Sequence, residues 1–218
     1  RYKCLIVDHD DTAVQSTAEI HHPAHIEVIH HFRPGMEPVD LDTFFLKNFD
    51  PGILEFYSEE LGFTEAEIRE EHRIWQEYVA GKVPDFYPGF LEMLADFRRT
   101  GGVVAVASHS EKAVIERDYR ASGDFFPDAI FGWSFDETKR KPHPWPIEEI
   151  SRHYSIPSEQ ILVLDDLRAG VDMADAAGAD AAAAGWAHNI PEIRKIMKER
   201  TIAFFERVED FRKFLLEG

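Results

Sequence analysis

The stretch Lys3-Cys4-Leu5-Ile6-Val7-Asp8-His9-Asp10-Asp11-Thr12 runs from an apolar segment directly into three carboxylates within four residues. A short apolar run that ends in polar residues reads as a buried strand. In a doubly wound sheet, ligands bind beyond the carboxyl ends of the strands. Three anions crowded there repel one another unless a cation offsets them. Taken alone, the segment is equally compatible with a solvated acidic turn.

Three more apolar runs share this character: Val103 to Ala107, Ala129 to Phe131 and Ile161 to Leu164. Weaker candidates lie at Asp180 to Ala184 and Ile202 to Phe205. Helical patterns separate the later runs, at Gly89 to Arg99, Glu111 to Ala121, Trp145 to His153, Ala169 to Ala177 and Pro191 to Lys198. Alternation at this spacing implies βαβ units and a parallel sheet. Between the first and second strands, Ala13 to Asp85 contains no convincing strand. It reads as helices at Pro23 to Phe32, Leu41 to Phe49, Gly52 to Leu61 and Glu65 to Val79, with Thr64 and Glu67 forming a capping box. Such a stretch is too long for one crossover, so residues 15–85 are expected to form a helical insert over a core of residues 1–14 and 86–218. Trp75, Tyr78 and Phe56 read as the core of that insert.

Three further segments carry candidate chemistry. Ile161-Leu162-Val163-Leu164-Asp165-Asp166 is a second buried strand ending in paired carboxylates, with Gly170 and a small-residue helix behind it. Its plain reading is a helix N-cap. Set opposite Asp8, the pair makes a hard-oxygen site suited to magnesium. Ser108-His109-Ser110 ends the second strand. Ser108 with Glu111 fits a capping box, or Ser110 caps the helix itself; equally, Ser108 and nearby N–H groups suit a phosphate at a helix start. Lys139-Arg140-Lys141-Pro142-His143-Pro144 is a basic cluster that reads either as a solvated loop or as the source of one lysine balancing the carboxylates.

In order and type these segments resemble the four motifs of the haloacid dehalogenase-like superfamily, close to phosphoglycolate phosphatase and β-phosphoglucomutase relatives. Asp8-x-Asp10-x-Thr12 is similar to the first motif, Ser108 to the second, Lys141 to the third, and Asp165-Asp166 with Gly170 and Ala176-Ala177-Gly178 to the fourth. Phe86-Tyr87-Pro88-Gly89 resembles the segment re-entering the core from a cap. Three positions depart from the pattern: Ala13-Val14 after the first motif, His109 after Ser108, and Asp165 and Leu167 around Asp166.

The resemblance implies an α/β fold, a Rossmann-like parallel-sheet core with an all-helical cap domain, and a magnesium-dependent phosphatase. Asp8 is then the nucleophile that becomes an aspartyl-phosphate and Asp10 the general acid and base, with Ser108 and Lys141 completing the catalytic set. Mg2+ is expected on Asp8, the Asp10 carbonyl, Asp166 and Asp165. The phosphoryl oxygens are expected to be held by the backbone around His9, by Ser108 and His109, and by Lys141. His21, His22 and Arg168 are candidates to face substrate; His21, His22 and His25 lack an acidic or Cys partner at zinc-ligand spacing. A sugar-phosphate mutase would share every core residue. A phospho-acceptor signalling domain also has an acidic strand end, a hydroxyl and a lysine, but not the long insert.

Composition narrows the partners. With 44% hydrophobic residues and 30% charged, the chain reads as globular. A formal charge of −17 argues against nucleic acid and anionic membranes and leaves a small phosphorylated metabolite as the expected partner. Cys4 is the single cysteine, so no disulfide forms within the chain. No apolar run nears the roughly 18 residues of a membrane span. Arg1-Tyr2-Lys3 has no signal-peptide anatomy. A cytoplasmic monomer or weak homo-oligomer is expected, with a start slightly upstream.

Overall fold

A computed structural model describes residues 2–123, 125–134 and 136–217. The chain divides into two compact units, Arg1–Gln15 with Asp85–Gly218, and Ser16–Pro84.

The first unit is built on six parallel strands: β1 (Cys4–Val7), β2 (Val103–Ala107), β3 (Ala129–Phe131), β4 (Ile161–Asp165), β5 (Asp180–Ala184) and β6 (Ala203–Phe205). They are arranged β3-β2-β1-β4-β5-β6. Every residue of β1 and β4 is buried, as expected for strands covered on both faces. Leu5 and Val7 point into an apolar layer formed with Phe90, Met93 and Phe97 of a helix at Phe90–Arg99, Ile115 and Tyr119 of one at Lys112–Ser122, and Phe211 and Leu215 of one at Val208–Glu217. Register decides where the chemistry gathers. Val7 pairs with Val106 on one side and Leu164 on the other, so the strand ends at Asp8, Ser108 and Asp165 meet at one edge.

Ser16–Pro84 is helical: α1 (His22–Phe32), α2 (Leu41–Phe49), the short α3 (Ile53–Glu55) and α4 (Glu65–Ala80). Val28, Ile29, Tyr57 and Phe63 form its apolar centre. Thr64 and Glu67 make the reciprocal capping box of α4, and Asp40 caps α2 through the Thr43 N–H. Phe56 is buried, whereas Trp75 and Tyr78 are half-buried. The remaining helices of the first unit are α5 (Phe90–Arg99), α6 (Lys112–Ser122), α7 (Trp145–Tyr154), α8 (Arg168–Ala177), α9 (Pro191–Arg200) and α10 (Val208–Glu217).

Two features differ from expectation. Pro23 does not start the first helix: a π-helical turn at Thr17–His21 leads into α1. Proline has no N–H to give, and a wider turn ahead of it accommodates the missing bond. The segment expected as Gly52 to Leu61 similarly divides into α3 and a π-helical turn at Phe56–Glu60. Among the described residues, no helix is long and apolar enough to cross a membrane.

Candidate active site

Asp8 follows β1 directly, and its N–H donates to the Leu164 carbonyl at 2.9 Å. The chain then doubles back. The His9 carbonyl accepts from the N–H groups of Ala13 and Val14, and Asp11 sits at φ 58° with its N–H on the Val14 carbonyl. Positive φ is tolerated by Asp better than by most non-glycine residues. This reversal turns Thr12 toward the neighbouring strand end, where its hydroxyl donates to Asp166 Oδ1 at 3.1 Å. Trp186 Nε1–H donates to the Thr12 carbonyl at 3.1 Å and fastens the turn from its far side.

Lys141 is the electrostatic centre. Its Nζ donates to Asp8 Oδ1 at 2.7 Å and to Asp165 Oδ2 at 2.6 Å, and the side chain is only 4% exposed. Burial works against the ammonium, but Asp165 and Asp8 outweigh it and hold the lysine above its ordinary pKa. Asp165 also accepts from the Leu167 N–H at 2.8 Å. Burial pushes the Asp165 carboxyl up to about 7; Lys141 opposes the shift and Asp8 adds to it. Asp166 lies well above the carboxylate range, through burial and then through Asp8, Asp165 and Asp11. Neither aspartate caps α8, whose N-cap is Leu167 without a side-chain cap.

Carboxylate oxygens of Asp8, Asp165 and Asp166 lie within 4.8 Å of one another, all buried. One lysine cannot neutralise three carboxylates. The donors are hard oxygens, which suit a divalent cation such as Mg2+ rather than a soft metal. A cation here would relieve the repulsion that raises Asp166, so these residues fit the metal that the sequence implies. Gly170 makes room for the arrangement: a Cβ there would come within 2.1 Å of Asp165 Oδ2.

Asp10 turns toward the end of β2. Ser110 Oγ donates to Asp10 Oδ2 at 2.6 Å, and Ser108 Oγ lies 3.4 Å from the same oxygen. Ser108 Oγ also accepts from the Ser110 N–H at 3.1 Å. The capping box read at Ser108 and Glu111 is not formed, nor does Ser110 cap: Glu111 is the N-cap of α6 and has no side-chain cap. Both hydroxyls are taken up by the Asp10 carboxylate, in the turn after β1. Asp10 therefore contributes no carboxylate to the three-aspartate cluster.

Of the other candidates, His109 is exposed and its Nε2–H donates to the Lys141 carbonyl at 3.0 Å. His9 has its ring in the core, bonded to Asp118, so only its backbone lies in the turn after Asp8. His21 and His22 belong to the helical unit. His21 Nδ1 accepts from Trp75 Nε1–H at 3.0 Å, and His22 Nε2–H donates to the Val39 carbonyl at 2.8 Å. Arg168, at the start of α8, sits 3.6 Å from Asp172 and is 38% exposed. Two contributors carry only an indirect sequence signal for the site. The clue to Ser110 was a second hydroxyl two residues after Ser108, read as a cap. The clue to Asp118 was a carboxylate between Ile115 and Tyr119 on the buried face of α6.

Comparison with known proteins agrees with this geometry. A search of curated proteins returns no match. Among solved structures, a predicted phosphatase from Clostridium acetobutylicum superposes with TM-score 0.82 at 18% identity, covering 100% of this chain and 99% of that one. A predicted phosphoglycolate phosphatase from Haemophilus somnus gives 0.78 at 17% identity, covering 98% and 97%. CbbY from Rhodobacter sphaeroides, in complex with xylulose-1,5-bisphosphate, gives 0.73 at 20% identity, covering 95% of each chain. At these identities the likeness establishes the fold. The profile of the haloacid dehalogenase-like hydrolases matches residues 2–178, which contain the three strand-end segments and the Lys141 loop described above, and the chain is a member of that family.

Proposed function

We propose that the protein is a magnesium-dependent phosphatase that hydrolyses a small phosphomonoester through an aspartyl-phosphate on Asp8. The observation that carries this reading is the Asp8 carboxylate, buried at a strand end and hydrogen-bonded to Lys141 beside Asp165 and Asp166. An Asp8 oxygen attacks phosphorus and the bond from phosphorus to the leaving oxygen breaks. Asp10 gives that oxygen its proton, then takes one from the water that attacks the aspartyl-phosphate and releases inorganic phosphate. Lys141 stabilises the charge that develops on the phosphoryl oxygens. Ser108, with backbone N–H groups around His9 and His109, orients those oxygens. Asp8, Asp166, the Asp10 carbonyl and Asp165 would hold Mg2+, which when bound lowers the repulsion between the anionic nucleophile and the phosphate.

Substrate selection is assigned to the helical unit, with His21 and His22 as candidate substrate contacts there and Arg168 as a candidate on the first unit. The structural neighbours named for phosphoglycolate and bound to a sugar bisphosphate favour a small phosphorylated metabolite as substrate. A phosphate-release screen over phosphomonoesters, with magnesium and after its removal by chelation, tests the proposal. Turnover is expected only with the metal and only with Asp8 intact. Equal turnover by the Asp8→Asn variant contradicts it.

A further inference from the structure

The alternation that sends Leu5 and Val7 into the apolar layer carries residue 9 the same way, where an apolar side chain is expected. The residue is His9. Its ring is fully buried, with ring centroids 6.3 Å from Phe86 and 5.7 Å from Tyr119. Nε2 lies 3.0 Å from Asp118 Oδ2, and since a carboxylate only accepts, this nitrogen carries the proton. Asp118 is 1% exposed, and its other oxygen accepts from Arg117 Nε at 2.8 Å. His9 Nδ1 has no hydrogen-bond partner among the described residues.

Burying such a pair costs desolvation that its mutual attraction scarcely recovers, so stability is a poor reason for it. What the pair holds is a better one. His9 stands between Asp8 and Asp10, and its carbonyl closes the turn by accepting from Ala13 and Val14. Asp118 lies on α6, the helix that follows the loop whose Ser108 and Ser110 hydroxyls hold Asp10. The segment from β2 through α6 thus grips the turn twice, once through the Asp10 carboxylate and once through the His9 ring.

We propose that Asp118 is a positioning residue which, through His9, fixes the backbone between nucleophile and general acid. Its catalytic consequence rests on the phosphatase reading above; its effect on the turn does not. Three variants test it: Asp118→Asn, which keeps an acceptor oxygen for His9; Asp118→Ala, which removes it; and the double variant His9→Leu with Asp118→Leu, which replaces the pair by apolar volume. Each is measured for thermal stability, for kcat and KM on p-nitrophenyl phosphate with magnesium, and for amide exchange of residues 8–14 without substrate.

The double variant is expected to melt no lower than wild type, yet to exchange faster in the turn and to lose about tenfold or more in kcat with little change in KM, while Asp118→Asn stays within about threefold. Wild-type exchange and kcat in the double variant would mean that the pair only fills space, and would overturn the proposal. If the double variant does not fold, equal exchange in Asp118→Asn and Asp118→Ala overturns it instead. If wild type hydrolyses no phosphomonoester, the phosphatase reading fails, and the exchange comparison still decides the role of the pair.

Discussion

At the edge of the sheet, Asp8, Asp165 and Asp166 are buried around the Lys141 ammonium; inside the helical unit, His25, Tyr57 and Glu71 are shifted by burial, with no such counter-charge among the described residues. His25 Nδ1 shares a 2.8 Å hydrogen bond with the Tyr57 hydroxyl, and burial, assisted by His22, lowers its pKa to about 4. Burial alone raises Glu71 to about 7. In the helical unit, desolvation drives each group toward its neutral form, and His25 Nδ1 and the Tyr57 hydroxyl pair with each other as an ordinary core contact. At the sheet edge Lys141 is held charged, and carboxylates are kept together despite their repulsion. The same physical cost is relieved in one region and retained in the other, and the retained one lies where strand ends converge.

Four perturbations break or sharpen this contrast, in descending order of expected effect. Lys141→Met removes the ammonium shared by Asp8 and Asp165. Phosphatase activity should fall by orders of magnitude, and unfolding in urea with chelator present should show a loss of about 3–5 kcal/mol. If the variant remains as stable and active as wild type, the carboxylates do not depend on the lysine. The second is acidification of the helical unit. An unfolded His25 takes up a proton below its ordinary 6.5, whereas the folded one resists until about 4. Stability attributable to His25 is therefore complete above 6.5 and lost as pH falls toward 4, on the order of 3 kcal/mol in total. Glu71 acts in the opposite sense: its contribution is complete below 4.5 and is lost as pH rises toward 7. The two windows overlap with opposite sign and largely cancel in wild type, so denaturant melts across this range should show stability falling with pH in His25→Gln and rising with pH in Glu71→Gln; unchanged profiles in both would contradict the assignment.

The third, Gly170→Ala, pushes a methyl group against the Asp165 carboxylate and should cost about 1–3 kcal/mol of stability. Calorimetric titration should show weaker magnesium binding, an effect that an alanine elsewhere on α8 should not reproduce. The smallest effect is expected from Ser110→Ala, which removes one hydroxyl from Asp10. Since Ser108 remains, kcat should drop about tenfold, the low end of what one hydrogen bond to a charged group contributes. A fall as deep as that of Lys141→Met would place Ser110 in the chemistry itself.

Much of the sheet could be read directly from the chain because β1, β2 and β4 are buried on both faces and therefore appear as unbroken apolar runs. β5, at Asp180–Ala184, is mostly alanine and β6 spans only Ala203–Phe205, so each carries a weak local signal. Helix α10 was not anticipated, although Val208, Phe211 and Leu215 lay one apolar stripe along it. Pro23 points to a helix beginning because a missing N–H is most often found there; the π-helical turn ahead of it has no comparable signature. At the site, residue types and their order pointed to Asp8, Lys141, Asp165 and Asp166. The pairing of Lys141 with residues 133 and 24 positions away is a property of the folded sheet. The bond between His9 and Asp118 spans 109 positions and has no local trace. Ser108 and Ser110 were ambiguous for a different reason: hydroxyls ahead of a helix serve caps and ligands alike, and only the position of Asp10 distinguishes the two.

The claim that Asp8 is the nucleophile is tested most directly by locating the phosphoryl group during turnover. An Asp10→Asn variant, slowed in hydrolysis of the intermediate, would be mixed with substrate and magnesium, quenched in acid and digested for mass spectrometry. The account predicts one phosphoryl group on the peptide containing Asp8, discharged by hydroxylamine and absent when Asp8 is also replaced by Asn. A phosphoryl group on another residue, or its persistence in the double variant, would contradict the account.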